Sequence, residues 1–124
     1  MNPNITQAFN QHFIELFDDI LTVFPDDTEV IDTKKMFILL KKTNPKLPLR
    51  TWKECISKVY KTEIENDDIT FFLNFTYDKT NKNISEGMIE KLVILQKPVC
   101  AMDENNRAKV MNYIKNLTKI SNLY

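Results

Sequence analysis

Glycine is nearly absent from the sequence, since Gly87 is the only one among 124 residues. Phosphate-binding loops, the dinucleotide-binding fingerprint and most two-residue hairpins need glycines at fixed positions. Nucleotide enzymes built on those loops are therefore excluded. His12 is the only histidine, and no serine occupies a glycine-flanked turn, so an acyl-transfer triad cannot be assembled. We expect a protein that is not an enzyme and needs no cofactor.

Cysteine and long apolar runs are also scarce. Cys55 and Cys100 have no second cysteine or histidine nearby, which argues against a zinc site and predicts two reduced thiols packed as small apolar residues. No charge-free apolar run approaches the roughly 18 residues that a membrane helix needs. Residues 1–14 lack the charged and apolar regions of a secretion signal. We expect a cytosolic protein without a membrane span.

Apolar residues recur at spacings of three and four, which is the pattern of amphipathic helices. Prolines interrupt the pattern, and aspartate, asparagine or a first-turn proline stands where each new helix would begin. These signals predict an all-α fold, a compact single-domain bundle of five to six helices over residues 1–124. The first predicted segment ends at Pro25, the second runs from Asp26-Asp27 to Asn44-Pro45, and the third starts at Pro48. The fourth covers Asp68–Phe75, the fifth extends from Asn83 to an end or kink at Pro98, and the sixth runs from Asp103 to Tyr124.

Two of these segments carry specific expectations. The composition of Asp68–Phe75 also suits a strand, and we favour a helix because no partner strand with an alternating pattern exists elsewhere. In the last helix the apolar stripe continues to Tyr124, so we expect the C-terminal residues to be docked on the core. Apolar positions expected on the buried faces of the other helices include Leu39, Trp52, Val59 and Val93.

Charge is segmented, although the 17 acidic and 17 basic residues cancel. Residues 1–33 hold seven acids and no base, and residues 34–61 hold nine bases with Glu54 as the only acid. Residues 62–78 hold five acids and no base, and residues 79–124 hold eight bases and four acids. These blocks either pair across the surface of one molecule or stay apart and set the register between molecules.

The basic block is a candidate surface for nucleic acid or an acidic partner, because it offers cations for phosphate and Trp52 for base stacking. Against nucleic acid, arginine is nearly absent, the domain is not basic overall, and Trp52 lies on the apolar stripe of its helix. The candidate residues are Lys34, Lys35, Lys41, Lys42, Lys46, Arg50 and Lys53.

On the first helix, Glu15, Asp18 and Asp19 share a face, but no second helix carries a matching carboxylate pattern. We therefore expect a solvated acidic face and no metal site.

Aromatic residues crowd the short fourth segment. Phe71 and Phe72 point about 100° apart on a helix, so one short helix cannot bury both on a single stripe. Either the rest of the domain wraps them, or some aromatic surface is presented to a partner. We expect Phe72 to face inward and Phe71 outward. The predicted partner-binding patch comprises Phe71, Phe72, Tyr77, Asp67 and Asp68.

Three stretches resemble a family of short helical proteins encoded by large nucleocytoplasmic DNA viruses of algae and protists. They are Asn44-Pro45-Lys46 with Trp52, Ile64–Tyr77 with its Phe-Phe pair, and Met111–Tyr124, the most specific of the three. The family pattern has Gly-Asp ahead of the Phe-Phe pair where this sequence has Asp67-Asp68.

The resemblance implies a viral origin. By analogy, a small non-enzymatic viral protein is a minor capsid or virion-associated component. It would act through contacts with other virion proteins or with itself, in the virion and in the host cytoplasm during assembly. The alternative is a sequence-nonspecific nucleic-acid-associated protein that uses residues 34–61.

Overall fold

Helices account for the secondary structure of the computed structural model, which describes residues 3–75, 77, 80, 82 and 85–124. Within these ranges there is no strand, so the predicted all-α class is confirmed. The described α-helices are α1 (Pro3–Val23), α2 (Thr28–Thr43), α3 (Leu47–Trp52), α4 (Lys61–Glu65), α5 (Thr70–Asn74), α6 (Glu86–Cys100) and α7 (Glu104–Asn122).

Side-chain caps begin three of the longer helices. Asp27 accepts a hydrogen bond of 3.1 Å from the Val30 amide, and Asp103 accepts one of 2.8 Å from the Asn106 amide. Both aspartates satisfy an amide that has no partner within the helix. The predicted cap Asn83 lies outside the described residues, and α6 begins from Ser85, whose Oγ accepts from the Met88 amide.

The third predicted helix is divided into pieces. After α3, residues Lys53–Ser57 form one π-helical turn, in which the Lys58 amide donates to the Lys53 carbonyl at 3.1 Å. This wider turn places three consecutive residues, Cys55, Ile56 and Ser57, in the interior. An α-helix would turn one of them toward solvent, so burial of all three accompanies the change in helix type.

The turn before α5 contains an aspartate in the left-handed backbone region. Asp67 has φ 57°, in the left-handed region where glycine is unstrained and aspartate is tolerated. Asp68 then accepts hydrogen bonds from the amide and the hydroxyl of Thr70. The helix expected for Asp68–Phe75 is present as the shorter α5.

The core is built around the phenylalanine stripe of α1. Phe13 stacks on Phe37 of α2 with ring centroids 4.8 Å apart, and it meets the edge of Trp52 at 6.0 Å. In the last helix, α7, Leu117 is also fully buried. Tyr124 is partly buried against the core, so the predicted docking of the C-terminal residues is confirmed.

Some predicted core positions are wrong. Leu39 is 63% exposed and Val93 42%, because the helices that carry them are covered on one side only. Val59 is 58% exposed in the turn between the π-helical turn and α4. Cys55 is buried as expected, whereas Cys100 is an exposed free thiol at the end of α6. Pro98 lies inside α6, which ends two residues later at Cys100. In the described part of the chain, no helix is both long and apolar enough to cross a membrane.

Candidate cationic binding surface

Four cationic side chains surround a surface cavity of about 560 Å³, here called the cationic cavity. It is lined by Arg50, Lys53, Lys58 and Lys82, together with Leu47, Glu54 and Tyr124. A volume of this size lies within the range of pockets that hold small ligands or a few side chains of a partner.

The π-helical turn positions one wall of the cavity. Because Cys55, Ile56 and Ser57 face the core, the flanking Lys53, Glu54 and Lys58 are left at the surface. The Lys58 ammonium bonds the Glu54 carboxylate at 2.8 Å.

Tyr124 forms the facing wall. Arg50 Nε donates a hydrogen bond of 3.2 Å to the Tyr124 hydroxyl, and Lys53 Nζ lies 5.8 Å from the centroid of its ring. The second distance is within the range of a cation–π contact.

The cavity has an excess of positive charge. Among the described lining residues, Glu54 supplies the one acidic side chain, and its carboxylate is already bonded to Lys58. Among the described residues no carboxylate forms an ion pair with Arg50, Lys53 or Lys82. The Arg50 bond to tyrosine uses Nε, which leaves its terminal amino groups for a phosphate or a carboxylate. The cavity can therefore bind an anion.

A second feature lies on α2. It ends at Thr43, four residues before the cavity residue Leu47, so these two residues are at most about 14 Å apart. The outer face of α2 is exposed at spacings of three and four and includes two apolar side chains, Met36 (55% exposed) and Leu39 (63%). Lysines flank both. We call this face the α2 stripe; it comprises Asp32, Lys35, Met36, Leu39, Lys42 and Thr43.

The candidate residues proposed from sequence divide into three groups. Arg50 and Lys53 line the cationic cavity, and Lys35, Lys42 and Lys46 are exposed but do not line it. Lys34 is bound to Asp18 at 2.5 Å. Lys41 is only partly exposed.

Sequence reasoning missed Lys82 and Tyr124 as part of this surface. Both are far from residues 34–61 in the chain, and no local pattern signals their approach to Arg50 and Lys53.

The predicted aromatic patch is covered. Phe71 is 6% exposed and Phe72 is fully buried, so the expectation that Phe71 faces outward is wrong. Tyr60 explains the difference, since its ring packs on Phe71 with centroids 4.8 Å apart. Tyr77 is partly buried against the core. The rest of the domain wraps these aromatics.

Asp67 and Asp68, the acidic members of that patch, are engaged within the molecule. Asp67 pairs with Lys115 at 2.8 Å, and Asp68 bonds Thr70. Asp18 with Lys34, and Asp67 with Lys115, each join an acidic block to a basic block of the same chain. Part of the charge alternation is therefore used inside the fold.

Two further expectations concern the interior and metals. Trp52 is fully buried, and its Nε1 donates to Thr118 Oγ1 at 3.1 Å, so its assignment to the core is confirmed. Over the described residues, no group of three His, Cys, Asp or Glu side chains is placed to hold a metal ion.

Comparison with protein-family models, with curated proteins and with solved structures finds no match to this chain.

Proposed function

We propose that this chain is a non-enzymatic, minor structural component of a virus particle that binds an acidic protein surface. We assign the binding to two surfaces, the α2 stripe and the cationic cavity. The observation that supports this best is the exposure of Met36 and Leu39 between Lys35 and Lys42. Protein interfaces combine an apolar centre with a polar rim in this way.

The aromatic residues in and around the cationic surface, Trp52 and Tyr124, favour a protein partner over a nucleic acid. Single-stranded nucleic acids bind surfaces that combine cations with exposed aromatic rings. Trp52 is buried in the core, and the ring of Tyr124 is contacted by Lys53. Arg107, the second arginine of the chain, is bound to the carbonyls of Val99 and Cys100 at the end of α6. Arg50 alone is left for bidentate contacts.

The chemistry of the surface defines the partner. An apolar pocket would receive Met36 and Leu39, and surrounding carboxylates would pair with Lys35, Lys42 and Arg50. We expect the partner to be another virion protein or the acidic face of a second copy of this chain. The protein would then be found in the virion, and in the host cytoplasm during assembly.

A second candidate function is sequence-nonspecific association with nucleic acid. The cationic cavity favours it, because its described lining includes four cationic side chains and one acidic side chain. In that case affinity should be independent of base sequence and should fall at least about tenfold between 50 and 200 mM salt, as expected for several phosphate contacts.

Proteomic analysis of purified virus particles tests the proposal. We expect the chain in intact particles and in the protein shell that remains after the particle is opened and its genome is digested with nuclease. Release of the chain together with the genome would support the nucleic-acid function. Absence of the chain from particles would overturn the structural role.

A further inference from the structure

The outer face of α2 carries its charges in order of sign. Glu29 and Asp32 are exposed toward the N-terminal end of the helix, and the exposed Lys35 and Lys42 follow toward its C-terminal end. None of these four side chains forms an ion pair within the part of the chain that the structure describes. Each end of the face therefore presents charge that is left for another molecule.

The exposed apolar side chains lie midway between the two ends. Asp32 and Lys42 are ten residues apart, which is about 15 Å along an α-helix. Residue 37 marks the midpoint, and Met36 and Leu39 lie on either side of it, each more than half exposed. An interface centred on this apolar pair would have an acid and a base at similar distances on its two sides.

A two-fold axis through that midpoint makes the α2 stripe complementary to itself. Two copies of the helix then run antiparallel, so that Asp32 of each copy lies opposite Lys42 of the other, and the apolar pairs meet between them. Lys35 falls beside Leu39 of the second copy, where its methylene stem can cover the leucine. A parallel arrangement would place acid against acid and base against base, so the charges select the antiparallel one. Antiparallel packing also opposes the two helix dipoles.

We propose that the α2 stripe binds the α2 stripe of a second copy of this chain, in an antiparallel dimer with two-fold symmetry. This inference rests on the proposed function, because it names the partner of the same surface. The interface uses the same patch on both copies and closes at two. The patch is one helix face with two apolar side chains, so the dimer is weak and forms at high protein concentration.

The outer face of α6 is the other counterpart that the chain offers. Val93 is 42% exposed there, between the exposed Glu90 and Lys97, so the order of sign is the same as on α2. However, α6 supplies one exposed apolar side chain where α2 supplies two. Its acid and base are seven residues apart, about 10 Å, which is shorter than the separation on α2. The α2 stripe therefore matches itself better than it matches α6.

Sedimentation equilibrium of the full-length chain, at concentrations up to about 1 mM, tests the dimer. Reducing conditions keep the exposed Cys100 from forming a disulfide between copies. We expect a monomer–dimer equilibrium that weakens as salt rises, because its ion pairs are exposed. Leu39→Gln should raise the dissociation constant about tenfold or more, whereas Val93→Gln, the matched control on α6, should leave it unchanged. A chain that stays monomeric, or equal effects of the two variants, would overturn the proposal.

Charge variants test the antiparallel arrangement. Asp32→Lys alone and Lys42→Glu alone each place like charges opposite one another, so each should raise the dissociation constant about tenfold or more. The double variant with both changes exchanges the two ends and should restore the dimer. Glu90→Lys makes the same charge change on α6 and should have no effect. A double variant as weak as the single ones, or equal weakening by Glu90→Lys, would overturn the proposal.

A mixing experiment covers the case in which the double variant lowers the thermal midpoint. The two single variants, mixed in equal amounts, should form a mixed dimer, because Lys at position 32 of one then faces Glu at position 42 of the other. No association in the mixture would contradict the antiparallel pairing.

Failure of the dimer and failure of the proposed function give different results. A chain that is monomeric in solution, but whose Lys35 and Lys42 cross-link to a different polypeptide in virus particles, would overturn the dimer and leave the proposed function standing. A reversible dimer in solution, with the chain absent from particles, would overturn the structural role alone.

Discussion

Trp52 of α3 donates a hydrogen bond from Nε1 to Oγ1 of Thr118 on α7, over 3.1 Å in the buried core. A second buried link, 2.6 Å between the hydroxyls of Ser57 and Ser121, joins the π-helical turn to the same helix. The π-helical turn also contributes Lys53 and Glu54 to the lining of the cationic cavity, and Tyr124 follows α7 in the chain. The two interior bonds therefore join α7 to the segment that carries part of the cavity lining.

Thr118→Val tests the first link. Valine has nearly the same shape but cannot accept a hydrogen bond, so the indole N–H is left buried without a partner. The free energy of unfolding should fall by about 1–3 kcal/mol, measured by urea denaturation. Thr43→Val is the control, since Thr43 is exposed and bonds only carbonyls of its own helix. Equal effects of the two variants would show that the link adds no stability.

Leu117→Ala tests the docking of α7. Leu117 is fully buried, so the truncation should cost about 2–5 kcal/mol of unfolding free energy. Leu123 is 71% exposed six residues later, and Leu123→Ala should change the unfolding free energy by no more than about 0.5 kcal/mol. Similar losses for both would contradict the packing of this helix.

Phe71→Ala and Phe72→Ala should destabilise alike, by about 3–5 kcal/mol each, since both side chains are buried. Thermal and urea denaturation measure the loss. Sedimentation of each folded variant at low temperature should show the same association state as the unmodified chain. A Phe71 variant that keeps its stability but loses association would restore the partner-binding role expected from the sequence.

The two thiols should differ in reactivity. Cys100 is exposed, whereas Cys55 is buried, and burial raises the pKa of its thiol to about 12. Because the thiolate is the reactive form, a thiol reagent should modify Cys100 in the folded protein and Cys55 only after unfolding. Mass spectrometry of the modified chain counts the sites. Rapid modification of both would show that the π-helical turn opens readily.

Cys55 also gives a dependence of stability on pH. The pKa of this thiol is 9.0 ordinarily and about 12 in the fold. Between pH 9 and about pH 12 the thiol is therefore ionised in the unfolded chain and protonated in the folded one. The unfolded state then holds fewer protons, so stability falls as pH rises through this window. The decline should be shallower in Cys55→Ala than in the unmodified chain, as measured by denaturation midpoints. Identical slopes would mean that the thiol is ionised in the fold.

The sequence was a good guide where structure is decided locally. Helix ends and caps depend on residues close together in the sequence, and these predictions agree with the structure at Pro25, Asp27 and Asp103. The apolar stripe of the last helix, which ends at Tyr124, also agrees. The π-helical turn was not predictable, because it accompanies the burial of three consecutive residues. Phe71 was assigned outward because the covering ring, Tyr60, comes from a separate segment, immediately before α4.

The binding surface was predicted only in part for the same reason. Arg50 and Lys53 are visible as members of a basic block, whereas Lys82 and Tyr124 reach them only through the fold. Helix spacing shows one wall of the cavity, and tertiary packing supplies the other.

Zero-length carbodiimide cross-linking of intact particles, followed by mass spectrometry, tests the central claim most directly, because it joins lysine amines to carboxylates already in contact. We predict cross-links from Lys35, Lys42 and Lys53 to Asp or Glu residues of another polypeptide. Lys97 and Lys109, which are exposed elsewhere on α6 and α7, should give few. Intermolecular cross-links from Lys97 and Lys109 with none from the α2 stripe or the cationic cavity would contradict the account.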